Sequence, residues 1–415
     1  MKKSLFIICL FILSGVSNIL FSNTLDSPES TLIIGNYQKK ISPLQPGTLL
    51  DQDFSDWESW DGKRFSVEET ANDKMITLKT TFTLGADIQD TPLGFYIGPT
   101  PYTCDLFING IHIFKSGQYR DRAIVNGFGS SYFLLPEQIL NYGGKENIIT
   151  VQIIPRTFRE PFTILTLTNY GKAAGLAFKR NIVSVYLVRA TCFTALILAF
   201  YYLLIFLSSR GAEKKYLYFG ILCISYFMAY LEIGFSADTF AEVWLKIFSK
   251  IGFIMMIIFL TMFFLEFTKA VKRFLLPIKI ITITPGVVFS FLMLFQKTHR
   301  GVDDLLNIML TYYFPVILVF NLGLMLYAVI RYKKRDFLIM LLAFLVTISC
   351  ALRDMMVVLT GAIPYAYIAT YGFLTLILAL FLVLTFEHLR ISKKSENRLQ
   401  SSQRKTTFRK SLSAG

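Results

Sequence analysis

The sequence is poor in the residues on which most active sites and metal centres are built. Its 415 residues include three histidines, which are widely spaced along the chain. The zinc-protease pattern H-E-x-x-H, the phosphate-binding pattern G-x-x-x-x-G-K-S/T and the hydrolase pattern G-x-S-x-G are all missing. We therefore predict that the chain is not an enzyme and that it holds neither a cofactor nor a metal ion.

Cysteine is also scarce. Of five cysteines, Cys104 alone falls in the segment that we assign to an exported domain, so that domain has no internal disulfide. Cys192, Cys223 and Cys350 lie in long apolar runs, where small buried hydrophobic residues are the ordinary interpretation.

Long apolar runs are what the sequence has in abundance, and seven of them follow a polar, turn-rich region. A helix needs about 20 apolar residues to cross the hydrocarbon layer of a membrane. The fourth run contains Lys279 and Pro285–Gly286, and leaving it out would place both chain ends on the same side. The predicted spans are Ile182–Leu207, Tyr216–Phe235, Ile251–Phe267, Leu275–Phe295, Leu305–Ile330, Phe337–Leu359 and Ile363–Glu387.

The distribution of positive charge predicts the orientation. Loops after odd-numbered spans carry ten Lys and Arg residues, whereas loops after even-numbered spans carry four. Because Lys and Arg favour the cytoplasmic side, the C-terminus is predicted to be cytoplasmic and the polar head exported, in a bacterial inner membrane. The net charge of +14 then belongs mostly to cytosolic loops and tail, where anionic lipids rather than nucleic acid are the expected partner.

The start of the chain is typical of a secretory signal peptide. Lys2 and Lys3 precede the apolar run Leu5–Leu13, and small or polar residues follow. Cleavage is expected near Ser22; the A-x-A pattern is missing, so an uncleaved anchor stays an alternative. The predicted organisation is a signal peptide at 1–22, an exported β domain at 23–178, a seven-helix domain at 181–390 and a disordered basic tail at 391–415.

The exported segment has the pattern of an all-β domain. Apolar and polar residues alternate strictly over Ile76–Leu84, and Asn109–Gly110 between two apolar runs predicts a type I′ hairpin. Several strands at short spacing indicate a β-sandwich or jelly roll. Further predicted strands are Leu93–Ile97, Tyr132–Leu135, Ile148–Ile154 and Phe162–Leu167.

About half of this segment is similar to the jelly roll of galactose-binding-like modules. The residues that carry the resemblance are Leu93–Gly98, Thr103–Gly110, Gly117 and Asn147–Ile153. In those modules a hairpin closed by Asn-Gly precedes a final strand introduced by a Gly-Asn turn. The resemblance implies a fold rather than a ligand, since many such modules bind no sugar.

A small molecule or glycan is the expected ligand of the exported domain. A saccharide ring offers an apolar face to aromatic residues and hydroxyls to Arg or Asn. Trp57 and Trp60 are either ligand contacts or plugs of the sandwich core, and the core interpretation is favoured. The predicted contacts are Tyr102, Tyr119, Arg120, Arg122 and Asn126.

Ionisable residues inside the spans are costly and therefore functional candidates, and Glu232, Arg353 and Asp354 are the three that we single out. Neighbours on a helix point about 100° apart, so Arg353 and Asp354 are not expected to pair by themselves. An Arg353–Glu232 link between helices is one hypothesis, and exposure of these side chains at the outer interface is the other. His299, Asp303 and Asp304 share an outer loop, but three such residues make a poor metal site.

An exported β domain before seven spans resembles the bacterial seven-transmembrane receptors with diverse intracellular signalling modules. The residues most similar to that family are Ala351–Asp354, Gly361, Pro364, Tyr371–Phe373 and Leu376–Leu389. In that family the last helix usually continues into a catalytic output module, and this chain departs there. The resemblance implies a receptor that signals through a cytoplasmic protein or a second copy of the chain. The alternative is an envelope binding or scaffold protein without signalling.

Overall fold

The computed structural model describes residues 31–43, 57–60, 74–99, 103–116, 129–154, 165–209, 213–234, 242–268, 275–297, 299–360 and 366–412. Within these residues a β domain is followed by a bundle of long helices. The fold class that the sequence predicts, a β-sandwich before an all-helical membrane domain, is confirmed.

The β domain consists of two antiparallel sheets. One sheet has four strands in the order β1-β10-β5-β8, and the other has six in the order β3-β2-β4-β9-β6-β7. The strands are β1 Leu32–Ile34, β2 Tyr37–Pro43, β3 Glu58–Trp60, β4 Lys74–Thr83, β5 Leu93–Ile97, β6 Thr103–Ile108, β7 Ile111–Ser116, β8 Ser131–Leu134, β9 Glu146–Ile154 and β10 Leu165–Asn169.

Alternation along the strands builds the core between the sheets. Because successive side chains of a strand point to opposite faces, the even-numbered residues Ile76 and Leu78 of β4 face one way and Thr77 the other. Ile76 and Leu78 are fully buried in the sandwich core, as their pattern predicts. Trp60 belongs to the same core, which confirms the core interpretation for this tryptophan.

The Asn109–Gly110 turn is confirmed as a hairpin with two positive φ angles, +50° and +85°. The Asn109 side chain also connects strands, because its amide donates to the Asn147 Oδ1 atom at 2.9 Å and its Oδ1 accepts from the Ile148 amide at 2.8 Å. The buried Asn147 in turn accepts from the Asn141 backbone N–H at 2.7 Å. The two asparagines of the jelly-roll pattern therefore tie the hairpin to the start of β9.

Within the described ranges seven helices are long and apolar enough to cross a membrane, in agreement with the seven predicted spans. The spans are Tyr170–Ser208, Lys214–Ile233, Val243–Thr268, Leu276–Leu294, Gly301–Tyr332, Arg335–Met356 and Ala369–Arg390. Two short π-helical turns, Ile182–Tyr186 and Met309–Tyr313, interrupt the first and fifth. The helices are α1 Tyr170–Asn181, α2 Leu187–Ser208, α3 Lys214–Ala229, α4 Leu231–Gly234, α5 Glu242–Thr268, α6 Leu275–Leu294, α7 His299–Ile308, α8 Phe314–Tyr332, α9 Arg335–Thr360 and α10 Ala369–Leu412.

Both ends of the helical region differ from the sequence prediction. Helix α1 begins at Tyr170, directly after β10, whereas we assigned residues as far as 178 to the β domain. Asn169 starts the helix early, because its side chain accepts from the Gly171 N–H at 2.9 Å and so caps the first turn. Helix α10 continues to Leu412 where we predicted disorder, and its stretch from residue 374 to 412 contains no Gly or Pro that would end it.

Candidate functional site

The five loop residues predicted to contact a ligand lie outside the described residues. These are Tyr102, Tyr119, Arg120, Arg122 and Asn126. Their role therefore stays a prediction. The described part of the β domain nevertheless contains a polar surface that the sequence analysis did not single out.

This surface is the face of the six-stranded sheet opposite the core, here called the polar face. The pairing register places Thr77 of β4 beside Gln152 of β9, Gln152 beside Asp105 of β6, and Asp105 beside Lys115 of β7. The outer face of an antiparallel sheet is usually solvated. Here Thr77 and Gln152 are fully buried and Asp105 is 3% exposed, so the centre of the polar face is shielded from solvent.

Charged side chains lie on the polar face with partners at its margin. The Asp105 carboxylate is 2.9 Å from the Nε2 atom of His112, which is exposed. The Lys79 ammonium lies 5.7 Å from the centre of the half-buried Trp57 ring, within the range of a cation–π contact. Burial lowers the pKa of Lys79. An aromatic ring beside an ammonium group is an arrangement that can hold a polar ring compound.

Two hydroxyl groups at the centre of the polar face have no hydrogen-bond partner within the described residues. They belong to Thr77 and Thr103, and both side chains are fully buried. Buried polar groups are nearly always paired, so these two hydroxyls are exceptions. The partly exposed margin of the polar face, at Trp57, is the candidate for ligand binding in the described part of the sandwich.

The second candidate site is the junction between the sandwich and α1. The Asn181 side chain at the end of α1 pairs with the backbone of Ser130, accepting from its N–H at 2.7 Å and donating to its carbonyl at 2.8 Å. The Ser130 hydroxyl lies 3.2 Å from the Tyr96 hydroxyl, and Arg180 donates to the same tyrosine at 3.3 Å. Because Asn181 bonds both the N–H and the carbonyl of Ser130, it fixes the distance and angle between the end of α1 and this residue.

Small residues let α1 lie directly on the four-stranded sheet. Ala173 and Ala177 are fully buried against Tyr96 of β5. A Cβ atom added to Gly94 would lie 2.7 Å from the Tyr170 Cα atom, so this position accepts only glycine without a backbone shift. Packing and hydrogen bonds together fix α1, and the span that it begins, to the sandwich.

The intramembrane residues form ion pairs that differ from those we predicted. Arg353 donates to the neighbouring Asp354 carboxylate at 2.8 Å, although their positions on the helix argued against a pair. The long arginine side chain can curl back, and its Nη1 also donates to the Ala366 carbonyl at 3.0 Å. The second Asp354 oxygen accepts from the Ala369 N–H at 2.7 Å. Asp354 thus places a negative charge at the N-terminus of α10, where the helix dipole favours it.

The hypothesis of an Arg353–Glu232 link is contradicted, because Glu232 pairs with Lys250 at 2.8 Å and Arg353 with Asp354. Lys246, one helical turn earlier on α5, pairs with Asp303 at 2.7 Å. We had counted both lysines as loop charges, and the four-residue spacing that places them on one face of α5 was the signal we did not use. Asp303 is therefore engaged in an ion pair, and the described part of the chain contains no cluster suited to a metal ion.

The first turn of α10, Ala369–Gly372, is hydrogen-bonded to three other spans. Tyr371 donates from its hydroxyl to the Val183 carbonyl in the first π turn. The Tyr226 hydroxyl of α3 lies 3.1 Å from both Thr191 of α2 and the Thr370 carbonyl. Because such contacts depend on how helices rotate against each other, the sequence pattern could not identify them.

The other end of the seventh span is held by ion pairs. Lys215, at the start of α3, lies 2.9 Å from Glu387 and 3.0 Å from Glu213. Arg390 lies 2.9 Å from Asp336 at the start of α9. Helix α10 is therefore linked to its neighbours where the span begins and again where it ends.

Comparison with known proteins gives a family for the helical region and weak similarity for the sandwich. Residues 186–387 match the family model described as 7TM diverse intracellular signalling. No curated protein matches the chain.

Solved structures that resemble part of the chain include three β-glucuronidases. The enzyme of Faecalibacterium prausnitzii is 10% identical with a TM-score of 0.28, and the match covers 36% of this chain and 33% of that one. The Ruminococcus gnavus enzyme in complex with D-glucuronic acid is 10% identical with a TM-score of 0.27, covering 36% and 31%. The Bifidobacterium dentium enzyme complexed with coumarin-3-O-glucuronide is also 10% identical with a TM-score of 0.27, covering 37% and 32%.

The similarity thus spans about a third of each glucuronidase. The family match, by contrast, extends from the first π turn to Glu387 near the end of the seventh span. The seven-helix region of this chain is therefore similar to the membrane region described as 7TM diverse intracellular signalling.

Proposed function

We propose that the protein is a membrane receptor whose β-sandwich binds an extracytoplasmic ligand and whose helices pass the binding event to a cytoplasmic partner. The observation that carries this proposal is the first span. It runs as one helix from Tyr170 to Ser208, is fixed to the sandwich through Asn181, and is hydrogen-bonded to the seventh span through Val183.

The polar face supports a ligand of the carbohydrate class. Trp57 offers a partly exposed ring, with the Lys79 side chain beside it. Sugars are bound in proteins by this combination of an aromatic surface and a few polar groups. Tyr119 and Arg120, among the predicted loop contacts, stay candidates for binding the same ligand.

Transmission depends on the short distance along the chain between two attachments. Asn181 holds the sandwich, and Val183, two residues later, accepts from Tyr371 of α10. The intervening π turn is a geometry often found at functional sites, because it disturbs the regular hydrogen-bond ladder of the helix. A ligand that prefers one angle between sandwich and α1 would therefore shift α10 between two packings, to the extent of its difference in affinity.

The output of the receptor is proposed to be the end of α10. Residues 391–412 continue the seventh span as a helix with seven Lys and Arg residues against one Glu. A basic helix suits an acidic surface on a cytoplasmic signalling protein, and it also favours anionic lipid head groups nearby. A second copy of the chain is the other partner that fits, since paired helices can move together.

The distribution of Lys and Arg along the chain supports the location in the cell that a receptor requires. The excess of Lys and Arg in loops after odd-numbered spans favours a cytoplasmic C-terminus and an exported sandwich, in the inner membrane of a bacterium. A non-signalling envelope binding or scaffold protein is the competing proposal. It would share the sandwich and the seven spans, but α10 would not respond to ligand.

A spin label on the output helix separates the two proposals. The full chain with Ser401→Cys would be placed in lipid nanodiscs and screened by thermal shift against a panel of soluble oligosaccharides. A receptor predicts that at least one oligosaccharide raises the unfolding temperature and also changes the mobility of the label. Tyr371→Phe should keep the thermal shift and lose most of the mobility change, whereas the exposed Tyr312→Phe should keep both.

Two outcomes would contradict the proposal at different points. A thermal shift without any change at residue 401 would favour the scaffold protein. No shift with any oligosaccharide would exclude carbohydrates as the class of ligand.

The cytoplasmic partner needs a separate test, in which cytoplasmic proteins are captured with the full chain and with a chain that ends at Arg390. Equal capture by both would contradict a role of the tail helix.

A further inference from the structure

The connection between the fifth and sixth spans concentrates positive charge at one end of the bundle. Helix α8 ends at Tyr332 and α9 begins at Arg335, so only two residues join them. The four cationic residues of this stretch, here called the basic turn, are all exposed: Arg331, Lys333, Lys334 and Arg335.

The backbone holds the basic turn in a compact shape. Lys333 has a left-handed φ of +48°, and its N–H donates to the Val329 carbonyl at 3.0 Å, which closes the end of α8. The rings of Tyr332 and Phe337 stack across the turn with their centres 5.4 Å apart. The four cationic residues are therefore kept close together, and their like charges repel one another.

The carboxylate next to the basic turn is already engaged. Asp336, the second residue of α9, pairs with Arg390 of α10 at 2.9 Å. None of the four residues of the basic turn forms an ion pair with another residue that the structure describes. Arg390 is itself exposed and adds a fifth cation to this surface. An anion from outside the chain would therefore be attracted here.

Apolar side chains next to the basic turn are also exposed. They belong to three different spans: Ile330 of α8, Leu338 of α9 and Leu389 of α10. In a bundle that crosses a membrane, exposed apolar side chains contact the acyl chains of lipids. Cations beside such side chains match the two parts of an anionic phospholipid, its phosphate head group and its acyl chains.

We propose that the basic turn and Arg390 bind the phosphate head group of an anionic phospholipid whose acyl chains lie along Leu338 and Leu389. Clusters of Lys and Arg at the ends of membrane helices bind anionic head groups, and each such residue strengthens the attraction by about fivefold. The general excess of Lys and Arg that orients a membrane protein requires no such site. Here the cations are compactly placed, and exposed apolar side chains lie beside them.

The lipid would contact the helix that we propose as the output, because Arg390 belongs to α10. Binding of the lipid nevertheless depends only on the helices lying in a bilayer. It does not depend on the proposed ligand or on signalling, and it holds equally for a scaffold protein.

Quenching of tryptophan fluorescence by brominated lipids tests the site in the full chain. The Leu338→Trp variant places a reporter one helical turn after Arg335. The variant is reconstituted in vesicles of equal parts phosphatidylglycerol and phosphatidylcholine, with bromine on the acyl chains of one lipid and then of the other. The wild-type chain gives the background of the three native tryptophans. We expect phosphatidylglycerol to be preferred at this reporter by about fivefold or more.

Three control variants separate a site from general attraction of anionic lipid to a basic protein. Val319→Trp, at an exposed position in the middle of α8, should show no preference between the two lipids. Lys333→Gln combined with Lys334→Gln should lower the preference at position 338 towards one. Lys214→Gln combined with Lys297→Gln removes as many exposed lysines from the ends of other spans and should leave the preference unchanged.

Equal quenching by the two lipids at position 338 would overturn the proposal. An equal preference at positions 338 and 319, or an equal loss in the two double-lysine variants, would also contradict it, since attraction would then belong to the whole protein. Free phosphate cannot produce the signal, because the bromine atoms are on the acyl chains. Should Leu338→Trp not fold, Leu389→Trp on α10 provides the same measurement with the same expected preference.

Discussion

Single glycines determine how closely the sandwich approaches the first membrane helix. Gly94 lies on β5 where α1 crosses the sheet, and an added Cβ would lie 2.7 Å from the backbone of Tyr170. Backbone atoms cannot move aside as a flexible side chain can. The sandwich and α1 can therefore pack this closely only because residue 94 is a glycine and has no Cβ atom.

We predict that Gly94→Ala destabilises the sandwich by about 1–3 kcal/mol, because overpacking forces the helix away from the sheet. Chemical denaturation followed by tryptophan fluorescence measures this, since two of the three tryptophans, Trp57 and Trp60, lie in the β domain. Gly85→Ala is the matched control, because nothing lies within 4 Å of its added Cβ. Equal stability of the two variants would contradict the tight junction.

Asp354 is the residue that joins the sixth and seventh spans at their connection. It is 7% exposed, pairs with Arg353 and accepts from the first N–H group of α10. Removing the buried Asp354 carboxylate would leave two donors, the Arg353 guanidinium and the Ala369 N–H, without their acceptor. A change at this one position should therefore act on the start of the seventh span.

Asp354→Ala is expected to lower the free energy of unfolding of the bundle by about 1–3 kcal/mol. Steric-trap or denaturant unfolding in bicelles measures the loss. Hydrogen exchange should also rise in the first turn of α10, Ala369–Gly372. The exposed Asp304 on α7 provides the control Asp304→Ala. Unchanged exchange in that turn would argue against the capping role of Asp354.

Helices α3 and α5 approach each other closely at a glycine. A Cβ added to Gly252 would lie 2.5 Å from the Ala229 backbone nitrogen and from the Met228 Cβ atom. Ser249, one turn earlier, donates to the Ala229 carbonyl at 2.6 Å. Small residues at such contacts are typical of membrane helices, whose association relies on close packing.

We predict that Gly252→Ala separates α3 from α5 and costs about 1–3 kcal/mol. Gly323→Ala on α8, where nothing lies within 4 Å of the added Cβ, should be neutral or slightly stabilising because alanine favours helix. Unfolding temperatures of the two variants in nanodiscs distinguish these effects. A loss in Gly323→Ala as large as in Gly252→Ala would mean that packing is not the cause.

The local sequence pattern predicted the strands and helices better than the contacts between them. Alternation identified β4, the Asn109–Gly110 pair identified the hairpin, and apolar length identified the spans, because each signal lies within one short segment. The Lys250 partner of Glu232 and the Ala369 partner of Asp354 depend on how two helices face each other, which no single segment encodes. The early start of α1 at Tyr170 was missed because its polar residues resemble a loop until the sheet beneath is known.

The same reasoning explains the incomplete prediction of the functional sites. We chose ligand contacts by residue type in loops, and the polar face appeared only when the register placed Thr77, Gln152 and Asp105 in one row.

On the scale of the whole molecule, two long helices connect what lies on either side of the bundle. The first span begins on the sandwich, and α10 extends to Leu412 beyond the seventh span. Hydrogen bonds between the first turn of α10 and the first span connect these two helices directly. Under the proposed topology of seven crossings, the sandwich on one side is joined to a basic helix on the other.

Labelling of introduced cysteines in right-side-out membrane vesicles tests this arrangement most directly. The four cysteines that the structure describes are buried, and burial raises the pKa of Cys104 to about 12, so introduced thiols should react selectively. A membrane-impermeant maleimide should label Lys145→Cys on the exposed turn before β9 and should reach Ser401→Cys only after permeabilisation. Labelling of both positions from the same side would contradict a receptor that joins two compartments.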